Sequence, residues 1–141
     1  NSRLRNINSG KLSNYFLGIC YYNLAENEDK EEDKKEYYFN AIKYFDKCKS
    51  KNKSFSSRIY ENLGDAFWQI GQEETAFEYY QKAIKHENKI SKISLLKKAA
   101  QLAKKLEKNH LALDYYNQIK TDFPNSVSAK DIDKHINESS N

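Results

Sequence analysis

The chain has 141 residues, 38% apolar and 31% charged, with a formal net charge of +4. An aromatic content of 13% separates it from disordered chains, while 4 Gly, 1 Pro and 2 Cys exclude collagen-like, turn-rich all-β and disulfide-dense classes. No apolar run approaches the roughly 20 residues that span a bilayer, which leaves a mainly helical domain.

The basic balance does not point to nucleic acid. Of 24 basic residues only Arg3, Arg5 and Arg58 are arginine, the side chain preferred for bidentate base and phosphate contacts. The chain therefore reads as one with no nucleic-acid partner. Cys20 and Cys48 belong to no CxxC and no Cys/His cluster, so both are expected as free, buried, small apolar residues, and neither a metal nor a cofactor is expected. With Asn1 first and no methionine, the sequence is expected to be part of a longer reading frame.

In chain order, residues 1–10 read as a tail. A first helix from Lys11 carries Leu17, Cys20, Tyr21 and Leu24 on one face and Leu12, Tyr15, Ile19 and Tyr22 on the other. A helix apolar all round is buried all round, so the face of Tyr15, Ile19 and Tyr22 is expected to need a cover: a preceding helix, a bound partner or a second copy. Residues 26–36 (ENEDKEEDKKE) are all charged except Asn27 and carry a net charge of −4. They either lengthen both flanking helices or form a solvated loop, and are expected to make a charged surface protrusion. Ala41, Ile42, Phe45 and Cys48 then mark a second helix.

The period is clearest from Ser57. Ile59, Tyr60, Leu63, Ala66, Phe67 and Ile70 share one helical face, Gly71 breaks the pattern, and Ala76, Phe77, Tyr80, Ala83 and Ile84 form the next stripe. A third unit repeats it with Leu95, Leu96, Ala99, Leu102, Ala103 and Leu106, then Ala112, Leu113, Tyr116 and Ile119, closed by Pro124. Small residues recur in register at Gly18, Gly64 and Ala100, and again at Ala41, Ala76 and Ala112, where paired helices must approach closely. The units span 11–56, 57–92 and 93–125. A terminal helix over 126–136, capped by Asn125 or Ser126, carries Val127, Ile132 and Ile136 to cover the last pair, and 137–141 are expected to fray.

These positions match the pattern W-x2-L-G-x2-Y, A-x3-F, P of the tetratricopeptide repeat, most closely at Tyr60, Leu63-Gly64, Phe67, Ala76, Tyr80 and Ala83. The chain resembles that family across nearly its whole length. The expected fold is all-α: an α-solenoid of three antiparallel helix pairs plus a C-terminal capping helix. The stretches NYFLGICYYNL, NLGDAFWQIGQEETAFEYYQKA and ALDYYNQIKTDFPNSVSAKDIDKHI are similar to Bacteroidetes tetratricopeptide proteins with an N-terminal membrane helix, close in layout to the translocon subunit YfgM. That resemblance implies anchoring to the inner membrane with the repeat domain in the periplasm; the alternative is cytoplasmic.

The family resemblance implies a binding scaffold rather than an enzyme, with a peptide or protein segment held along the first helix of each pair. Trp68 lies about 140° around its helix from Leu63, with Arg58, Glu61 and Asp65 on the same side. The equivalent stripes are Tyr15, Ile19 and Tyr22 in the first unit and Lys97, Gln101 and Lys104 in the third. By resemblance these ten residues line the groove, running from aromatic through acidic to basic. The carboxylate clamp found in part of the family is not expected: its first-unit positions hold Tyr15 and Ile19, its third-unit positions Ser94 and Lys98, and only Asn62 fits. The helical pairs His110–Asp114 and Asp131–His135 lack a third ligand, and no HExxH, P-loop or GxSxG occurs, so no catalysis is expected. The alternative function is self-association through the apolar first helix.

Overall fold

The computed structural model describes residues 8–86 and 92–140. Seven α-helices lie in this span: α1 (Ser9–Glu26), α2 (Glu31–Asp46), α3 (Lys53–Gln69), α4 (Glu73–His86), α5 (Lys92–Lys105), α6 (Asn109–Asp122) and α7 (Val127–Ser140). The chain divides into two compact units, one ending at His86 and the other made of the residues that follow. The expectations for residues 1–7, for 87–91 at the end of the second unit and for Asn141 lie outside the described residues.

The first unit holds α1 to α4. Asn8 caps α1, its side chain accepting from the Lys11 backbone N–H at 2.9 Å. Asn52 caps α3 likewise, accepting from Phe55 N–H at 2.9 Å, so α3 starts at Lys53, ahead of the expected Ser57. The charged stretch 26–36 is mostly helix. It extends α1 to Glu26 and opens α2 at Glu31, where Glu31, Glu32 and Asp33 complement the positive helix N-terminus. Only a short turn joins the two helices.

Close approach at small residues sets both pairs. An ideal Cβ on Gly18 would stand 2.6 Å from Cδ1 and Cε1 of Phe45, and one on Gly64 would stand 2.6 Å from Cε1 of Tyr80. Ala41, Phe45, Ile59, Leu63, Ala76 and Tyr80 are completely buried around these crossings.

Gly18 also corrects the expected orientation of α1. Its missing Cβ admits the Phe45 ring, so the residues flanking Gly18 on that side turn inward. Leu12, Tyr15, Ile19 and Tyr22 pack against the core of α2 and α3. Leu17, Cys20 and Leu24, expected inside, face outward with Phe16. Leu17 is 41% exposed, whereas Leu63 and Ala99, at the same place in the repeat, are completely buried. Cys20 is therefore not the buried residue expected, while Cys48 is, its thiol directed at the carbonyls of Tyr44 and Lys11.

The second unit holds α5 to α7. Leu95, Leu96, Ala99, Leu102 and Ala103 of α5 meet Ala112, Tyr116 and Ile119 of α6 in its core. Ser126 caps α7, its hydroxyl accepting from Ala129 N–H at 3.1 Å. Ile132 is buried against the unit, but Val127 is 78% exposed and takes no part in the cover. Residues 137–140 are helical rather than frayed, held where Glu138 meets Lys104 at 3.1 Å.

The helical turns of the two units repeat one geometry. After α3, the Gln72 N–H donates to the Phe67 carbonyl at 2.9 Å and Gly71 sits at φ +82°. After α5, the Lys108 N–H donates to the Ala103 carbonyl at 2.8 Å and Glu107 sits at φ +60°. A side chain in the left-handed region is strained where glycine is not. Glu107→Gly is expected to stabilise the protein by about 0.5–1 kcal/mol, seen as a higher urea midpoint at unchanged slope. A midpoint that stays level or falls would show the turn is relaxed as it stands.

Candidate functional site

The outward side of α3 supplies the densest group of candidates. Arg58 is exposed; Glu61, Asp65 and Trp68 are half-buried. Trp68 stands edge-to-face on the buried ring of Tyr80, with centroids 6.1 Å apart. The Tyr80 hydroxyl donates to Oδ1 of Asp65 at 2.6 Å, so ring and carboxylate are locked together beneath the indole. Burial, then the charge and hydrogen bond of Asp65, push the Tyr80 phenol well above its ordinary range.

Tyr22 joins this group from α1. Its ring meets Tyr38 edge-on at 5.3 Å, and its hydroxyl bonds Gln69. Burial first, then the Asp65 carboxylate, raise its phenol above the usual range. Tyr22, Asp65, Trp68 and Gln69 are thus one polar and aromatic cluster. Tyr15 and Ile19 are not open in the same way: Tyr15 wedges edge-on against Phe55 at 5.6 Å, and Ile19 packs on the core. They brace the wall and do not present an open aromatic stripe.

The amide nitrogen of Asn62, also on α3, is buried with no hydrogen-bond partner. An unmatched buried donor costs about 1–3 kcal/mol, so such a group calls for an explanation.

The link between Asp65 and Tyr80 was legible in principle. Residues after the small position are Ile19 and Asp65, and the rings they accompany are Phe45 and Tyr80. A buried ring that gains a hydroxyl needs an acceptor, and Asp65 supplies it.

In the second unit, Lys97, Gln101 and Lys104 follow one another along α5 at helical spacing. The Lys104 ammonium is already engaged by Glu138 of α7, and that contact holds the Glu138 carboxyl below its usual range. His135 stacks on Tyr116 with centroids 5.1 Å apart, so its ring is used in packing rather than with Asp131. Among the described residues, no group of three or more His, Cys, Asp and Glu side chains is gathered as metal ligands. No described helix is long and apolar enough to cross a membrane.

A cleft of about 640 Å³ opens in the first unit where α2 begins and α3 ends. Glu31, Glu32, Lys34, Lys35, Tyr38 and Gln69 are among its walls. Both charge signs line it, so it favours neither.

Residues 94–126 match the tetratricopeptide repeat family. No curated protein sequence matches the chain. Among solved structures, the fold is similar to the TPR2B domain of yeast Sti1 in its pHsp70 complex, with a TM-score of 0.69 at 17% identity, covering 94% of this chain and 98% of that one. It is similar also to the second TPR domain of human RPAP3 in complex with the HSP70 peptide SGPTIEEVD, with a TM-score of 0.65 at 14% identity, covering 93% and 98%. The fold is thus all-α, of the α-solenoid class seen in tetratricopeptide-repeat domains, and the stretch that matches that family's model lies on α5 and α6.

Proposed function

We propose that the chain is a non-enzymatic protein-interaction scaffold that holds a segment of a partner protein against α3, on the surface of Asn62, Asp65, Trp68 and Tyr22. The buried, unpartnered amide of Asn62 is the observation that carries this reading, because it offers a donor to an incoming carbonyl or carboxylate. Trp68 supports it as the anchor. Its indole is half-buried on a ring that Asp65 immobilises, and a rigid aromatic loses little entropy on binding. The structurally similar yeast and human domains were both solved with Hsp70 ligands, which supports a peptide as the occupant.

Lys97 and Gln101 of the second unit make a separate basic surface suited to acidic side chains. The finer role, a chaperone-like or assembly factor at a bacterial envelope, is supported by the resemblance of three stretches of the chain to membrane-anchored proteins of that layout.

Peptides selected from a display library on the native protein test the site. Trp68→Ala is expected to weaken the selected peptides at least tenfold while helicity persists. Asn62→Leu is expected to weaken them too, yet to leave the free protein as stable or more so, because it removes an unmatched donor. Selected peptides that bind both variants as tightly as the native chain would put the site elsewhere.

A further inference from the structure

The outward face of α1 has no role in the reading above. Phe16 is 60% exposed, Leu17 41% and Leu24 49%, and Cys20 lies exposed between them. No charged residue occurs in α1 between Lys11 and Glu26. In α3 and α5 the same repeat positions hold Leu63 with Ala66 and Ala99 with Leu102, all completely buried. The α1 stripe is thus built like a helix-packing seam but has no helix on it among the described residues.

We infer that this stripe is where two copies of the chain meet, α1 against α1 in antiparallel register, with the two-fold axis passing at Cys20. The order of sizes along the seam supports a second copy as the occupant. Large residues (Phe16 and Leu17, then Leu24) flank a small one (Cys20) at spacings of three and four. A two-fold contact needs a self-complementary patch. Antiparallel pairing through residue 20 sets Phe16 against Leu24 of the partner subunit and lets the helices cross closely at the two thiols. The absence of charge along the seam removes the like-charge repulsion that a self-contact otherwise suffers. Ser13, Asn23 and Asn27 are exposed beside it and supply a polar rim. Head-to-tail stacking is disfavoured, because Lys130, Asp131, Asp133, Lys134 and Glu138 are exposed on α7 and do not match an apolar seam.

The area sets the strength. The three large side chains on two copies remove roughly 600 Å² from water, and the rim brings the total to about 1,000 Å², the lower end of specific interfaces. The dimer is therefore weak and reversible.

Sedimentation equilibrium over a wide concentration range tests it, together with cross-linking by a short bismaleimide. The expected result is a monomer–dimer equilibrium with no larger species, and a covalent dimer formed through Cys20 that Cys20→Ser abolishes. Leu24→Glu is expected to raise the dissociation constant at least tenfold and to suppress cross-linking; because Leu24 is exposed, helicity should not change. A chain that stays monomeric at millimolar concentration overturns the inference. So does association that Leu24→Glu leaves intact, or a ladder of higher oligomers.

Discussion

Gly64→Ala is expected to cost about 2–3 kcal/mol of stability, although alanine is the better helix former by about 1 kcal/mol. The added Cβ would stand 2.6 Å from Cε1 and 2.7 Å from Cδ1 of Tyr80, and 3.2 Å from the backbone oxygen of Ala76. Something must give, and the neighbours are poorly placed to do so. The Tyr80 ring is completely buried and tethered through its hydroxyl to Asp65. The Ala76 carbonyl belongs to α4 itself. Relief therefore requires α3 and α4 to move apart, loosening Leu63 and Phe77 along the seam. Gly18→Ala faces an equally short contact with Phe45 but should cost less, since α1 has an open outer face and can shift outward. Chemical denaturation of both variants gives the comparison. Equal losses, or a Gly64→Ala protein as stable as its parent, would mean that the ring yields.

Raising the pH should unfold the protein earlier than its ordinary side-chain chemistry suggests. The Cys48 thiol is pushed from 9.0 to about 11 by burial, with the Lys11 charge acting weakly the other way. The phenols of Tyr22 and Tyr80 are raised further, by burial and by the nearby Asp65 carboxylate. In each case the folded state holds a proton that the unfolded state releases more readily. Stability is therefore whole below about pH 9 and falls as the pH climbs through the unfolded-state values, first for the thiol and then for the phenols. The thiol alone accounts for about 3 kcal/mol across its window. Cys48→Ala should flatten the early part of the decline. Tyr80→Phe should flatten the later part, at a cost near neutral pH of about 1–2 kcal/mol for the lost bond to Asp65. The tyrosinate absorbance band gives an independent readout. If every tyrosine ionises near pH 10 in the still-folded protein, the cause assigned to the decline is wrong.

Much of the architecture could be read from spacing because it follows from residue size. Gly64 and Ala76, and Ala100 and Ala112, mark where helices cross, and each pair recurs with the same flanking apolar pattern. Gly71 announced its turn; Glu107 did not, since nothing in a glutamate signals a left-handed backbone. The orientation of α1 was misread for a physical reason. Leu12, Tyr15, Phe16, Leu17, Ile19, Cys20, Tyr21, Tyr22 and Leu24 surround the helix, so apolar periodicity carries almost no direction. What decides the buried side is the ring of Phe45 seated on Gly18, a contact between α1 and a later helix. The site was partly legible. Trp68 and Asp65 were placed together by angle alone, but Tyr80 beneath them and the unmatched amide of Asn62 depend on burial that spacing does not reveal.

The principal helix contacts have a consequence for how fast the chain folds. They join α1 to α2, α2 to α3, α3 to α4, α5 to α6 and α6 to α7, each helix with a neighbour in the chain. Every such contact closes a short loop, so little entropy is lost before the contact forms. Chains of this low contact order fold in about milliseconds or less, and formation can begin at any helix pair. A pair that opens locally needs no distant strand or late-arriving segment to close again, so exposure of its apolar seam to proteases or to aggregation is brief.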